Sequence, residues 1–356
     1  MGLGFAFRKG VVNDYSERSA RLAIESVCVR FSLPEPVRIR PVAGGLQHRL
    51  LRVDFRGRES LALKILAQRS VATAEGILRI ERGETLAELA AQRDVPAMVA
   101  LRQPDGKFVG RAEDVHFLLF PWVEGEVLPP HAVSVERGRL MGGHLARVHR
   151  LAIRFPEQMA PIPEAFVDGH FRAIAERACV QGASWAWRLR DVVEELEELN
   201  GRARVAQEEL CEGWVMGHLD FDQKNVLWNG EGEPIILDWE QAKPIHPALE
   251  AMGAGLSWAG QSAGAPSRET FVAWVQGYRE QNELRLEDLE LAVDGVIGKW
   301  TIWLEFNLQR LLDEGLSSQE RQIAFDAGMH ALGATLRLGR DGAIYREWCR
   351  GAFRGS

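Results

Sequence analysis

Cysteine is scarce and scattered: Cys28, Cys179, Cys211 and Cys349 stand singly in a chain of 356 residues. No C-x-x-C and no zinc-ligand spacing occurs, so the sequence offers neither a disulfide framework nor a structural zinc site. Isolated thiols of this kind read as buried residues in a reducing compartment. Long hydrophobic runs are also missing; none reaches the ~18 residues a membrane-spanning helix requires. The opening MGLGFAFRKG places its apolar run ahead of its basic residues, the wrong order for a secretory signal. Ala6 stands where N-myristoylation wants Ser or Thr. These absences imply the cytoplasm. There is no basic surplus: the net charge is −7, which argues against nucleic acid or an anionic membrane as partner. Mild acidity is compatible with cationic ligands and is more commonly a solubility device. Lysine is sparse beside arginine, alanine and glycine, a composition that suits a GC-rich bacterial genome. No G-x-x-x-x-G-K-[ST] is present, which excludes a P-loop nucleotide site.

What remains is ordinary globular material, 46% hydrophobic and 26% charged, and long enough for two domains. Apolar residues at Ala20, Ala23, Ile24, Val27 and Phe31 have helical spacing. The period then drops to two in VRIRPVAGGLQHRLLRVDFRG, broken by Gly44-Gly45, and SLALKILA follows as a further strand carrying Lys64. Residues 71–93 return to helical spacing, weakened by Gly76 and Gly83. VPAMVAL and DVHFLLFPWVEG read as two strands joined through a Pro-Asp-Gly turn. Beyond Glu126 nearly everything is helical, apart from one strand-like interval between residues 215 and 240. The organisation expected is a helical extension (1–36), a small β-rich lobe with one inserted helix (37–122) and a helical lobe (123–356). The last contains a loop and hairpin at 216–240 and further helices at 250–356.

That interval, MGHLDFDQKNVLWNGEGEPIILDWE, carries the chemistry. His218, Asp220 and Asn225 form H-x-D-x-x-x-x-N; a strand, a turn and a returning strand then end in Asp238. A hairpin would bring Asp238 back beside Asn225. Phosphoryl transfer needs a carboxylate to orient the attacking hydroxyl, oxygen ligands for Mg²⁺ and a cation on the nucleotide phosphates. Any one such residue in a turn could simply cap the backbone. All four at this spacing make a site.

The pattern resembles the catalytic loop of protein-kinase-like enzymes, above all the aminoglycoside phosphotransferase family of small-molecule kinases. Asp238 follows Asn225 by thirteen residues, as that family's second acid does. The resemblance implies an α+β, bilobal protein-kinase-like fold with a small β-rich N-lobe and a larger helical C-lobe. It implies Asp220 as catalytic base, Asn225 and Asp238 as Mg²⁺ ligands, and His218 as structural support. It also implies ATP or GTP as phosphoryl donor and a small-molecule hydroxyl as acceptor. Lys64 would hold the α- and β-phosphates and pair with a helix glutamate, Glu84 ahead of Glu81 or Glu88. Gly44 and Gly45 would admit phosphate to backbone amides, and the backbone from Phe120 to Trp122 would meet the base. LARVHR, residues 145–150, resembles a packing helix of the same family.

Departures narrow the class. Leu219 stands where Gly or Arg is common. Asp238-Trp239-Glu240 replaces Asp-Phe-Gly, which argues against a protein substrate. Asn225 rather than His argues against macrolides. Trp303, Glu305 and Asn307 are the residues expected to line the acceptor site, because aromatic walls with placed polar groups suit a polar ring-containing natural product such as an antibiotic. Choline, homoserine or sugar kinases are the alternative. Oligomeric state is left open.

Overall fold

Alternating burial defines the strands of the N-terminal sheet: in RLLRVDF, Leu51, Val53 and Phe55 point inward while Arg52 and Asp54 reach solvent. The computed structural model describes residues 17–42, 48–156, 158, 160–161, 166–261, 264–313 and 315–354. The chain separates into two compact units, one of residues 1–127 with 224–242, the other of residues 128–223 with 243–356. This differs from the expected single boundary at 122/123. The hairpin carrying Asn225 and Asp238 belongs to the first unit, because its strands hydrogen-bond to residues of that unit.

In chain order the strands are β1 (Pro36–Val42), β2 (Arg49–Phe55), β3 (Leu61–Ile65), β4 (Gly110–Ala112), β5 (Val115–Pro121), β6 (Glu126–Val127), β7 (Val215–Gly217), β8 (Val226–Trp228), β9 (Pro234–Ile236) and β10 (Lys243–Ile245). The helices are α1 (Glu17–Arg30), α2 (Gln68–Val71), α3 (Ala74–Ala91), α4 (Val135–Arg150), α5 (His170–Val180), α6 (Ala186–Arg190), α7 (Val193–Glu209), α8 (Pro247–Trp258), α9 (Arg268–Arg279), α10 (Leu286–Gly295), α11 (Ile297–Leu312) and α12 (Ser318–Arg354).

The first unit is a five-stranded antiparallel sheet in the order β1-β2-β3-β5-β4. One face packs on α1: Ala23, Ile24 and Val27 meet Leu51, Val53, Leu63, Ile65, Phe117 and Leu119. The helix at 17–30 is thus part of this core and not a separate extension; each large apolar side chain buried there contributes about 1.5–3 kcal/mol. On the opposite face Leu118 meets Val71 of α2 and Ile80 of α3. Lys64 lies in β3 between Leu50 and Leu118 of its neighbours.

The two glycines of α3 have a packing cause. A Cβ on Gly83 would lie 2.2 Å from the Trp239 carbonyl oxygen, and one on Gly76 2.3 Å from that of Ser70. Thr73 caps the helix by accepting the Gly76 N–H. VPAMVAL forms no strand: it makes one isolated bridge, Ala97 to Ile236, and the hairpin is instead β4–β5. Pro96 has no N–H to donate; its carbonyl takes the Ile236 N–H and Met98 donates back to Ile236.

The second unit is helical. α4 and α9 approach through glycine: a Cβ on Gly142 would fall 2.2 Å from the Trp274 carbonyl, and one on Gly277 2.0 Å from that of Arg139. A second cluster joins α5, α6, α7, α11 and α12 through Phe171, Leu189, Leu196, Leu304, Leu308 and Leu332. The helical stretch from Leu286 to Leu312 breaks at Gly295–Val296 into α10 and α11. Of the four cysteines only Cys349 is buried; Cys179 is exposed. No helix among the described residues is long and apolar enough to cross a membrane.

Candidate active site

In the first unit, the β8–β9 hairpin is held by Val226↔Ile236, Leu227↔Ile235 and Trp228↔Pro234, and β6 pairs with β8. Its open end closes with the Leu237 N–H donating to the Asn225 carbonyl at 2.8 Å. Asn225 therefore sits one residue before β8 and Asp238 two residues after β9, at the same end of the hairpin. Asp238 takes a left-handed backbone (φ 62°, ψ 63°), which turns the chain sharply into the single helical turn Trp239–Gln241.

That turn supplies two carboxylates to one cation. Lys64 Nζ lies 2.7 Å from Asp238 Oδ1 and 3.0 Å from Glu240 Oε2. Burial alone would pull the Lys64 ammonium down, but the two carboxylates outweigh it and hold its pKa far above the ordinary lysine range. Glu240 is buried as well. Burial would raise its carboxyl; the bond from His48 and the charge of Lys64 prevail and hold it at about 2. His48 Nδ1 accepts the Ala67 N–H at 2.8 Å, which assigns the ring proton to Nε2, 2.9 Å from Glu240.

The expected Lys64–Glu84 pair is not formed. The fully buried Glu84 accepts the Ala100 N–H at 3.0 Å, while Lys64 is already satisfied by Asp238 and Glu240. Burial drives the Glu84 carboxyl up to about 8, only partly offset by the Ala100 N–H and the Lys64 charge. The two competitors are engaged elsewhere: Glu81 accepts the N–H groups of Phe108 and Val109, and Glu88 pairs with Arg102. Sequence reasoning missed Glu240 and His48 as members of this cluster. The Asp-Trp-Glu triplet was the available signal for the first, and the His ending the Gly-Gly segment for the second. Gly44 and Gly45 themselves lie outside the described residues. Trp122 donates its indole N–H to Glu124, lies under the Arg52 guanidinium at 4.7 Å, and bonds through its backbone N–H to Ser60. Phe120 is half-buried on β5, opposite Ala62.

In the second unit, β7 pairs with β10 and leads into the loop of His218 and Asp220. His218 is fully buried, edge-on to Phe221 at 5.5 Å, and the Phe221 carbonyl accepts the Trp258 indole N–H. Leu219 adopts φ 66°, costly for a branched side chain, and its N–H is fixed at 2.5 Å by Glu250. Glu250 in turn meets His149 Nε2 at 2.8 Å, and His149 Nδ1 meets the Tyr278 hydroxyl. Burial opposes charge on Glu250, but the His149 bond outweighs it and keeps the carboxyl below its usual range. Asp220, half-buried, follows directly, with its carbonyl accepting the Asp222 N–H.

One acceptor expectation, Asn307, is corrected. Asn307 is fully buried on α11 and donates back to the Trp303 carbonyl at 2.7 Å, so its amide serves the helix interior. Glu305 is half-buried, 3.7 Å from His170 Nε2. Trp303 is exposed.

Asn225 and Asp238 supply an amide and a carboxylate at one end of a hairpin, donors that suit a hard cation such as Mg²⁺. Among the described residues no group of three or more His, Cys, Asp or Glu could hold a metal, so a cation here would draw on phosphate and water for the rest of its shell.

A family model described as the phosphotransferase enzyme family matches residues 38–286, and the chain belongs to that family. The fold is protein-kinase-like, and the protein is a kinase that phosphorylates a hydroxyl of a small molecule. Among solved structures, it is similar to a spectinomycin phosphotransferase in complex with ADP and spectinomycin. The TM-score is 0.67 at 12% identity, over 91% of this chain and 98% of that one. An aminoglycoside phosphotransferase from Alicyclobacillus acidocaldarius gives a TM-score of 0.61 at 12% identity, over 97% and 99%. A choline/ethanolamine kinase family protein from Mesorhizobium loti gives 0.55 at 14%, over 91% and 98%. No curated protein sequence matches the chain significantly.

Proposed function

We propose that the enzyme moves the γ-phosphoryl group of ATP or GTP to a hydroxyl of a polar, ring-containing natural product, an antibiotic inactivated by the transfer. The observation that carries the phosphoryl-transfer part of this reading is Lys64 held between Asp238 and Glu240 at the open end of the hairpin that begins at Asn225. Lys64 gives up Asp238 for the α- and β-phosphates when nucleotide binds, while Glu240, fixed by His48, keeps the ammonium on station. Asn225 and Asp238 would hold Mg²⁺, which would neutralise the phosphate charge. Asp220 orients the acceptor hydroxyl. Its oxygen attacks the γ-phosphorus, the bond to the β,γ-bridging oxygen breaks, and the proton passes to the Asp220 carboxylate. Glu250 and His149 keep the loop in place for that step.

Similarity to the choline/ethanolamine kinase fold supports a second reading, a metabolic kinase of a choline, homoserine or sugar type. Release of ADP from Mg–ATP or GDP from Mg–GTP, with acceptors spanning antibiotics and small metabolic alcohols, separates the two. The first reading expects efficient turnover only with ring-containing natural products. Efficient phosphorylation of choline or homoserine overturns it and leaves the phosphotransferase class intact.

A further inference from the structure

The helix α11 has one buried face, built from Ile297, Thr301, Leu304, Leu308, Leu311 and Leu312. On its other side, Lys299, Trp303, Phe306 and Arg310 follow at steps of four, three and four, so they form a single stripe about 16 Å long. Trp303 is 45% exposed and Phe306 48%, and their rings stack at 5.4 Å with 17° between planes. The Arg310 guanidinium lies over Phe306 at 5.6 Å. At the other end Lys299 Nζ donates to the Leu219 carbonyl at 3.2 Å. That bond sets the start of the stripe beside Asp220, within the same unit.

Two large aromatic rings stacked in solvent are expensive to expose when they serve nothing. The charges flanking them are both positive. The only carboxylate on α11 is Glu305, off the stripe and turned to His170; Arg310 also faces Glu320 of α12. An aromatic shelf between two cations attracts a flat ring and repels polyamines.

We infer that this stripe is the acceptor platform, and that it selects ring-bearing alcohols that are anionic or neutral and rejects polyammonium ones. The inference rests on the phosphotransferase reading above, with Asp220 as base. The acceptor's ring lies on Trp303 and Phe306, its hydroxyl reaches toward the Asp220 end, and Lys299 meets its carboxylate or other electron-rich group.

The test uses three matched series of ring-bearing alcohols, carrying a carboxylate, no charge, or two or more ammonium groups, with Mg–ATP. ADP release and product mass are followed in wild type and variants. Carboxylate and neutral members are expected to exceed ammonium members by about tenfold or more in kcat/KM. Trp303→Ala and Phe306→Ala should each raise acceptor KM by about tenfold while nucleotide KM stays put. Lys299→Glu should shift the preference toward ammonium members. Wild-type preference for ammonium acceptors overturns the inference. So does an acceptor KM unmoved in all variants, or a Lys299→Gln that lowers kcat equally for every series, which would make Lys299 only a brace for the loop. Binding of Mg–ATP with no product from any series overturns the platform alone; failure to bind Mg–ATP overturns the underlying reading as well.

Discussion

Lys64 Nζ and Asp238 Oδ1 lie 2.7 Å apart, joining the third strand of the sheet to a residue 174 positions later, and the pair is closed from behind by Glu240. Lys64→Met keeps the apolar stem and leaves Glu240 buried with His48 alone. Breaking one partner of such a buried set costs about 3 kcal/mol, the low end of the usual range because Asp238 keeps some solvent. Thermal unfolding should report that loss, and nucleotide KM should rise. A variant as stable as wild type with unchanged nucleotide KM would remove Lys64 from the site.

Asp220→Asn keeps the side chain's shape and removes the proton acceptor. kcat should fall about 10²-fold or more, with nucleotide affinity nearly unchanged, as titration with a non-hydrolysable nucleotide would show. Wild-type turnover would eliminate Asp220 as the base.

Glu84 gives a pH signature. Its folded-state pKa of about 8 lies above its ordinary value of 4.5, so between those values the folded protein binds the extra proton. Stability from this group is therefore full below pH 4.5 and is lost as pH rises through 8. Glu84→Gln keeps an oxygen for the Ala100 N–H and cannot ionise. Its melting temperature relative to wild type should climb between pH 5 and pH 9. A flat difference across that range would show that Glu84 is already charged at neutral pH.

Leu219 pays a left-handed backbone penalty of about 1–2 kcal/mol, against which glycine would lose about 0.5–1 kcal/mol of chain entropy. Leu219→Gly should therefore fall within about 1 kcal/mol of wild type, whereas Leu219→Val should be clearly worse. Glu250→Gln should lower kcat by between about ten- and a hundredfold through misplacement of the neighbouring Asp220, leaving nucleotide KM alone. An equal rise in nucleotide KM would show that the loop brace is not what Glu250 supplies.

Much of this was legible in the sequence, and the failures share a cause. The spacing of His218, Asp220, Asn225 and Asp238 is local, so a loop and a hairpin could be drawn from it. The partner of Lys64 is not local: the sequence favours Glu84 only slightly over Glu81 and Glu88, and in the fold Ala100, Phe108 and Arg102 claim the three in turn. Asn307 was misjudged because helical spacing groups residues by face without saying which face the core takes. VPAMVAL looked like a strand by composition, but Pro96 limits it to a single bridge.

The contact at Gly83 reaches beyond packing. The middle of α3 rests directly on the Trp239 peptide, backbone against backbone, with no side chain between them to yield. The turn that presents Asp238 and Glu240 thus has a hard stop on one side. Hydrogen exchange is expected to find helix and turn opening as one unit, with the carboxylates around Lys64 protected along with the helix beneath them.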